Sequence, residues 1–184
     1  VDGARGSGVG PSLPLFFRLY EKRCIEFDEM HGWEATPHDR TEWWRRVPAA
    51  IRPRLRFYNA PIYEGTMADA LGGRVRRSAA LSHAADGTPT SFLNVLNATA
   101  TTDDFVVVKV DIDNGPELQV VHAIAKVPEL SALVDELFFE AHFYFDGIQF
   151  GWGALGADRR HTVDEALALM RTLRERGIRS HFWI

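Results

Sequence analysis

Residues 105–113 read FVVVKVDID, and no other stretch of this chain restricts the fold as much. Val106, Val107, Val108, Val110 and Ile112 are β-branched and favour a strand. Apolar residues fall on both of its faces, the pattern of a parallel strand covered by helices on each side. Side chains alternate along a strand, so Lys109, Asp111 and Asp113 share one face. Ionised groups are costly there unless the end of the strand opens onto a cleft. Ligands of open α/β sheets bind at the carboxyl ends of the strands. The segment therefore points to a binding site at its own end.

Helix and strand patterns alternate around it. Ser12 can cap a helix that carries Leu13, Phe16, Phe17, Leu19 and Tyr20 and runs to about Arg23. Residues 25–35 read as a weaker strand ending in Trp33-Glu34, stopped by Thr36-Pro37. Residues 41–50 fit a short helix, and 55–58 a short strand ended by Asn59-Ala60-Pro61. Residues 64–91 form an irregular excursion with Gly72-Gly73 and the basic residues Arg74, Arg76 and Arg77. Residues 91–98 fit a short helix before the central strand. Residues 117–126 fit a helix with Leu118, Val121 and Ile124 on one side, continued or restarted at 130–133. Residues 135–145, DELFFEAHFYF, read as a further strand, followed by a glycine- and aromatic-rich loop at 147–157. Thr162 caps a helix to Arg176 whose core stripe is Val163, Ala166, Leu167, Met170 and Leu173. Gly177 ends it, and 178–184 form a last strand. This alternation predicts an α/β fold, a mostly parallel sheet with right-handed crossovers.

Composition narrows the function classes. The chain has 184 residues, 46% hydrophobic and 25% charged, which suits one folded domain with a real core. A net charge of −4 gives no reason to expect nucleic acid as a partner. The single cysteine, Cys24, offers neither an internal disulfide nor zinc-type spacing, and reads as a small buried hydrophobe. No apolar run is long enough to span a bilayer. Val1-Asp2-Gly3 reads as the last residue of a strand followed by a glycine turn. The first strand is therefore expected to be truncated here and the chain to be a piece of a longer one. The chain is expected to be a soluble domain, with any targeting or membrane segment left to the parent chain.

Three places could hold chemistry. Residues 3–11, GARGSGVGP, join a strand end to a helix, and glycines let backbone amides approach a ligand at a helix N-terminus. The loop lacks the GK[ST] ending of a P-loop, which argues against phosphoryl transfer. Glu34, ending the second strand, can accept hydrogen bonds from both hydroxyls of a ribose, and otherwise is a solvated loop carboxylate. Trp33 is read as a packing residue. Lys109, Asp111 and Asp113 on one strand, with Glu140 and His142 on the next, would converge at one sheet edge if the two strands are neighbours. That cluster is either a site or a structural network such as Lys109 with Glu140.

These features, in this order, resemble class I S-adenosylmethionine-dependent methyltransferases, and more narrowly the FkbM-type family. The matching residues are Asp2-Gly3-Ala4 after the first strand, Trp33-Glu34 ending the second, and Lys109-Val110-Asp111-Ile112-Asp113-Asn114-Gly115 for a motif of the form K-x-D-x-E-G. Glu140-Ala141-His142 is similar to the fifth strand of that family, and residues 177–183 look like the end of an uncharacterised branch. Asp113-Asn114 stands where the family has an acidic–glycine pair, and no final antiparallel hairpin is visible. The resemblance implies one Rossmann-like domain over residues 1–184, a twisted, mostly parallel sheet with helices on both faces. It implies S-adenosyl-L-methionine as cofactor, with Asp2, Gly3, Ala4, Gly6 and Gly8 lining its methionine end. Glu34 would hold the ribose, Asn59 would lie near the adenine, and Asp111 near the cofactor amino group or the acceptor. His142 would be the general base and Lys109 an orienting group for methyl transfer to a hydroxyl of a small-molecule or glycan-like acceptor. Two alternatives stand beside this. Asp111, Asp113, Glu140 and His142 could hold Mg²⁺ or Mn²⁺ in a metal-assisted O-methyltransferase, or the domain could bind a nucleoside or protein partner without catalysis.

Overall fold

The computed structural model describes residues 12–34, 37, 39, 41, 45, 47–60, 62, 91–111, 116–141 and 162–183. The chain divides into two compact units, one over Val1–Ile62 and one over Tyr63–Ile184. Both are α/β, and among the described residues every strand pairing is parallel. That is the class the alternating pattern predicts.

In the first unit, helix α1 (Ser12–Glu21) leads to strand β1 (Met30–Trp33). A single 3-10 turn (Arg52–Arg54) leads into strand β2 (Leu55–Tyr58). Phe16 and Tyr20 lie one helical turn apart, which puts them on one face of α1. Both are buried, with ring centroids 5.3 Å apart, and Tyr20 meets Phe27 at 5.0 Å. The helix closes with Cys24 N–H donating to the Glu21 carbonyl and Ile25 N–H donating to that of Tyr20. This is a Schellman ending with Cys24 in the left-handed position, φ 57°. Cys24 is exposed there, a correction to its reading as a buried hydrophobe. β1 pairs with β2 in the register Met30 with Leu55 through Trp33 with Tyr58.

In the second unit, helix α2 (Phe92–Thr99) buries Phe92, Leu93, Val95 and Leu96. Strand β3 (Val107–Val110), helix α3 (Pro116–Lys126), the short helix α4 (Pro128–Ser131), strand β4 (Glu136–Phe139), helix α5 (Val163–Glu175) and strand β5 (Arg179–Phe182) follow. The three strands lie in the order β3-β4-β5. Val108, Val110, Leu137, Phe139 and Ser180 form the buried side of this sheet. α5 packs against β5 and against α3, whose Val120, Val121, Ala123, Ile124 and Ala125 are all buried. Two buried serines here are satisfied: Ser131 Oγ donates to the Ile124 carbonyl at 2.6 Å, and Ser180 Oγ to that of Met170 at 3.1 Å.

Two sequence expectations shift. β3 is buried on one side, with Val107 and Lys109 half-buried on the other, so it is covered less evenly than its valines suggest. α5 turns Ala166, Leu169, Met170 and Leu173 inward, while Val163 and Leu167 are exposed. The stripe is rotated, with Leu169 taking a place assigned to Leu167. Among the described residues no helix is long and apolar enough to cross a membrane.

Candidate functional site

Parallel pairing brings two groups of predicted residues to carboxyl strand ends, one in each unit. In the first unit, the backbone N–H of Glu34 donates to the Tyr58 carbonyl at 3.1 Å, carrying the ladder one step past β1. The Asn59 side-chain amide then donates to the Glu34 carbonyl at 2.7 Å. Glu34 and Asn59, which lie 25 residues apart in sequence, are thus joined at one edge. Asn59 has a definite structural task there, holding the chain where it leaves β1.

In the second unit, Lys109 lies on β3 and Asp111 one residue past its end, and Lys109 Nζ is ion-paired with the Asp111 carboxylate. The Lys109 side chain is only 12% exposed and that of Asp111 28%. The ammonium also lies 4.6 Å from the centre of the Trp183 ring, an aromatic face that attracts a cation. β4 is the neighbour of β3, the condition on which the Lys109–Glu140 cluster depends, and Glu140 N–H donates to the Val110 carbonyl at 3.0 Å. Glu140 therefore sits beside the exit of β3.

Of the residues read as cofactor-binding or catalytic, Glu34, Asn59, Lys109 and Asp111 are placed in this way. Asp2, Gly3, Ala4, Gly6, Gly8 and His142 lie outside the described residues, as does Asp113. Among the described residues no group of three His, Cys, Asp or Glu side chains is placed to hold a metal ion.

Two clusters escape a linear reading. On the half-buried side of the β3-β4-β5 sheet, Glu136 accepts from His181 Nε2 at 2.9 Å and from Arg179 Nη2 at 3.4 Å. The His181 ring stacks on Phe138 with centroids 4.7 Å apart. In the first unit, His31 Nε2 lies 3.3 Å from the Glu29 carboxylate and His31 Nδ1 lies 3.2 Å from the Tyr58 hydroxyl. Arg56 Nε holds the same carboxylate at 2.7 Å. Trp33 stacks on Tyr58 at 4.8 Å, in keeping with a packing role. Burial pushes the pKa of His31 below its ordinary value; Glu29 opposes that shift and Arg56 adds to it. Burial also pushes Tyr58 up, so its phenol is held protonated. The period-two spacing of Glu29, His31 and Trp33 was the available signal. Its partners come from β2, and only the register supplies them.

No protein-family model, curated protein or solved structure matches this chain.

Proposed function

We propose that the chain is an S-adenosyl-L-methionine-dependent methyltransferase acting on a hydroxyl of a small-molecule or glycan-like acceptor, with a Rossmann-like, FkbM-type architecture. The observation that carries this reading is the parallel β3-β4-β5 sheet with Lys109 and Asp111 paired where β3 ends. The lysine and first acid of the K-x-D motif thus stand at the strand end where α/β sheets take ligands.

Further support comes from Glu34 and Asn59, joined at the ends of β1 and β2. A carboxylate accepts from paired ribose hydroxyls, and an amide can both donate and accept at a purine edge. This donor set fits an adenosyl group. When bound, that cofactor supplies an electrophilic methyl group on a sulfonium. In this reading Glu34 holds the ribose and Asn59 lies near the adenine. The resemblance would give the backbone of residues 3–8 the methionine end. The resemblance would give Asp111 the cofactor amino group or the acceptor, Lys109 the acceptor oxygen, and His142 the proton of the acceptor hydroxyl.

Calorimetry with S-adenosyl-L-methionine, S-adenosylhomocysteine and NAD tests the cofactor class, with binding of the first two and not the third expected. Glu34→Ala should weaken S-adenosyl-L-methionine by more than about tenfold, since each hydrogen bond to a charged group contributes about 1.5–3 kcal/mol. Unchanged affinity removes Glu34 from the ribose role. His142→Ala should lower turnover and leave cofactor affinity intact. One observation favours the non-catalytic alternative: the Lys109 ammonium is already engaged by Asp111 and Trp183. Cofactor binding without transfer to any acceptor would select that alternative, and failure to bind S-adenosyl-L-methionine would overturn both the cofactor and the enzyme assignment.

A further inference from the structure

The side of the β1-β2 pair that carries His31, Trp33, Arg56 and Tyr58 holds a continuous chain of polar contacts from the Glu29 carboxylate, 3.3 Å from His31 Nε2, through His31 to the Tyr58 hydroxyl. Its chemistry has a direction. A carboxylate only accepts, so His31 Nε2 carries the proton that Glu29 receives. A neutral imidazole has one N–H, which leaves Nδ1 as an acceptor. The Tyr58 hydroxyl therefore donates to Nδ1, and the phenolic oxygen keeps lone pairs for another donor. The charged groups facing the imidazole are Glu29, which favours its protonated form, and Arg56, which opposes it. The His31 side chain is 15% exposed, which shields the middle of the chain, while the Tyr58 end is only half-buried.

We infer that Glu29, His31 and Tyr58 form a proton relay that ends at the Tyr58 oxygen and activates the hydroxyl of a small phenolic ligand. The ligand O–H bond breaks as its proton joins the Tyr58 oxygen. The original Tyr58 proton passes to His31 Nδ1, and the resulting imidazolium rests against the Glu29 carboxylate. The ligand oxygen is left with the electron pair. A phenol is the favoured class because, unlike an aliphatic hydroxyl, it holds its proton with a strength near that of a tyrosine phenol, which burial raises at Tyr58. Trp33, stacked on the Tyr58 ring at 4.8 Å, braces that phenol. This inference stands independently of methyl transfer. It assigns Tyr58 as the ligand-contacting group, with His31 its proton acceptor and Glu29 a positioning residue.

Nitrogen-15 NMR of His31 should show a neutral ring protonated at Nε2; a proton on Nδ1 overturns the direction of the relay. Acetylation of Tyr58 by N-acetylimidazole, followed by peptide mass spectrometry, reads whether the phenol proton leaves through His31. The Tyr58 oxygen attacks the acetyl carbon as its proton goes to Nδ1; the acetyl C–N bond breaks, and the imidazolium returns that proton to the leaving nitrogen, which departs as imidazole. The wild type should react about tenfold faster than His31→Gln, and its rate should fall as His31 becomes protonated, a pH dependence absent in the variant. Equal rates overturn the relay. Should His31→Gln fail to fold, Glu29→Gln decides by the same rate and by a changed His31 proton position. Phenol titrated as probe should shift the His31 Nδ1 resonance in the wild type and not in Tyr58→Phe. The absence of a shift in the wild type overturns the ligand assignment.

Discussion

Two helix endings show how a single residue sets local strain. Gly177 closes α5 as Cys24 closes α1: Gly177 N–H donates to the Arg174 carbonyl and Ile178 N–H to that of Leu173. Gly177 has φ 90°, and a Cβ added there would meet nothing within 4 Å. The cost of Gly177→Ala is therefore conformational, about 1 kcal/mol. Cys24 sits in the corresponding place with a side chain, so Cys24→Gly should stabilise by about 0.5–1 kcal/mol after the extra freedom of the unfolded chain is deducted. Urea denaturation of the two variants should move the midpoint in opposite directions. His31 yields a pH prediction. Its folded pKa lies below the ordinary 6.5, so the unfolded chain binds its proton more readily. Its contribution to stability is full above 6.5 and is lost as pH falls from there through the depressed folded value. Wild type should lose stability over that window, and His31→Gln should lose less, as read by denaturant titration at several pH values.

At the scale of elements, local signals explain most of the helix and strand positions. Thr162 is a clear case: its side chain accepts from Glu165 N–H at 3.2 Å, and the Glu165 carboxylate accepts from Thr162 N–H at 3.0 Å. Both halves of this capping box lie within four residues; the linear reading finds the Thr162 cap, and the structure adds its Glu165 half. Thr162→Ala should cost about 1 kcal/mol in thermal or chemical denaturation. The inward stripe of α5 was less legible. Val163 and Leu167 are as apolar as Leu169, and only the contact with β5 and α3 decides which of them is covered. The same holds for β3. Its valines favour a strand on either side, yet Val108 and Val110 are buried while Val107 is half-buried beside Glu136, its partner across the ladder.

At the scale of the whole molecule, cofactor binding should appear as added stability. If the proposed function holds, S-adenosyl-L-methionine at about 100 times its Kd should stabilise the chain by about 2.7 kcal/mol. A differential scan with the cofactor present would read this, and an unmoved transition would count against the proposal. What the amino-acid order determined unaided was short-range: the α/β alternation, the caps at Thr162 and Gly177, and the placing of Lys109 and Asp111 together at a strand end. Each follows from backbone sterics or hydrogen bonds among residues close along the chain. Which distant residues meet was settled by parallel pairing alone. Asn59 reaches Glu34, Tyr58 reaches His31 and Glu136 reaches His181 because strand register sets cross-strand neighbours. Parallel register is fixed by burial summed over many side chains, and no short segment carries that sum.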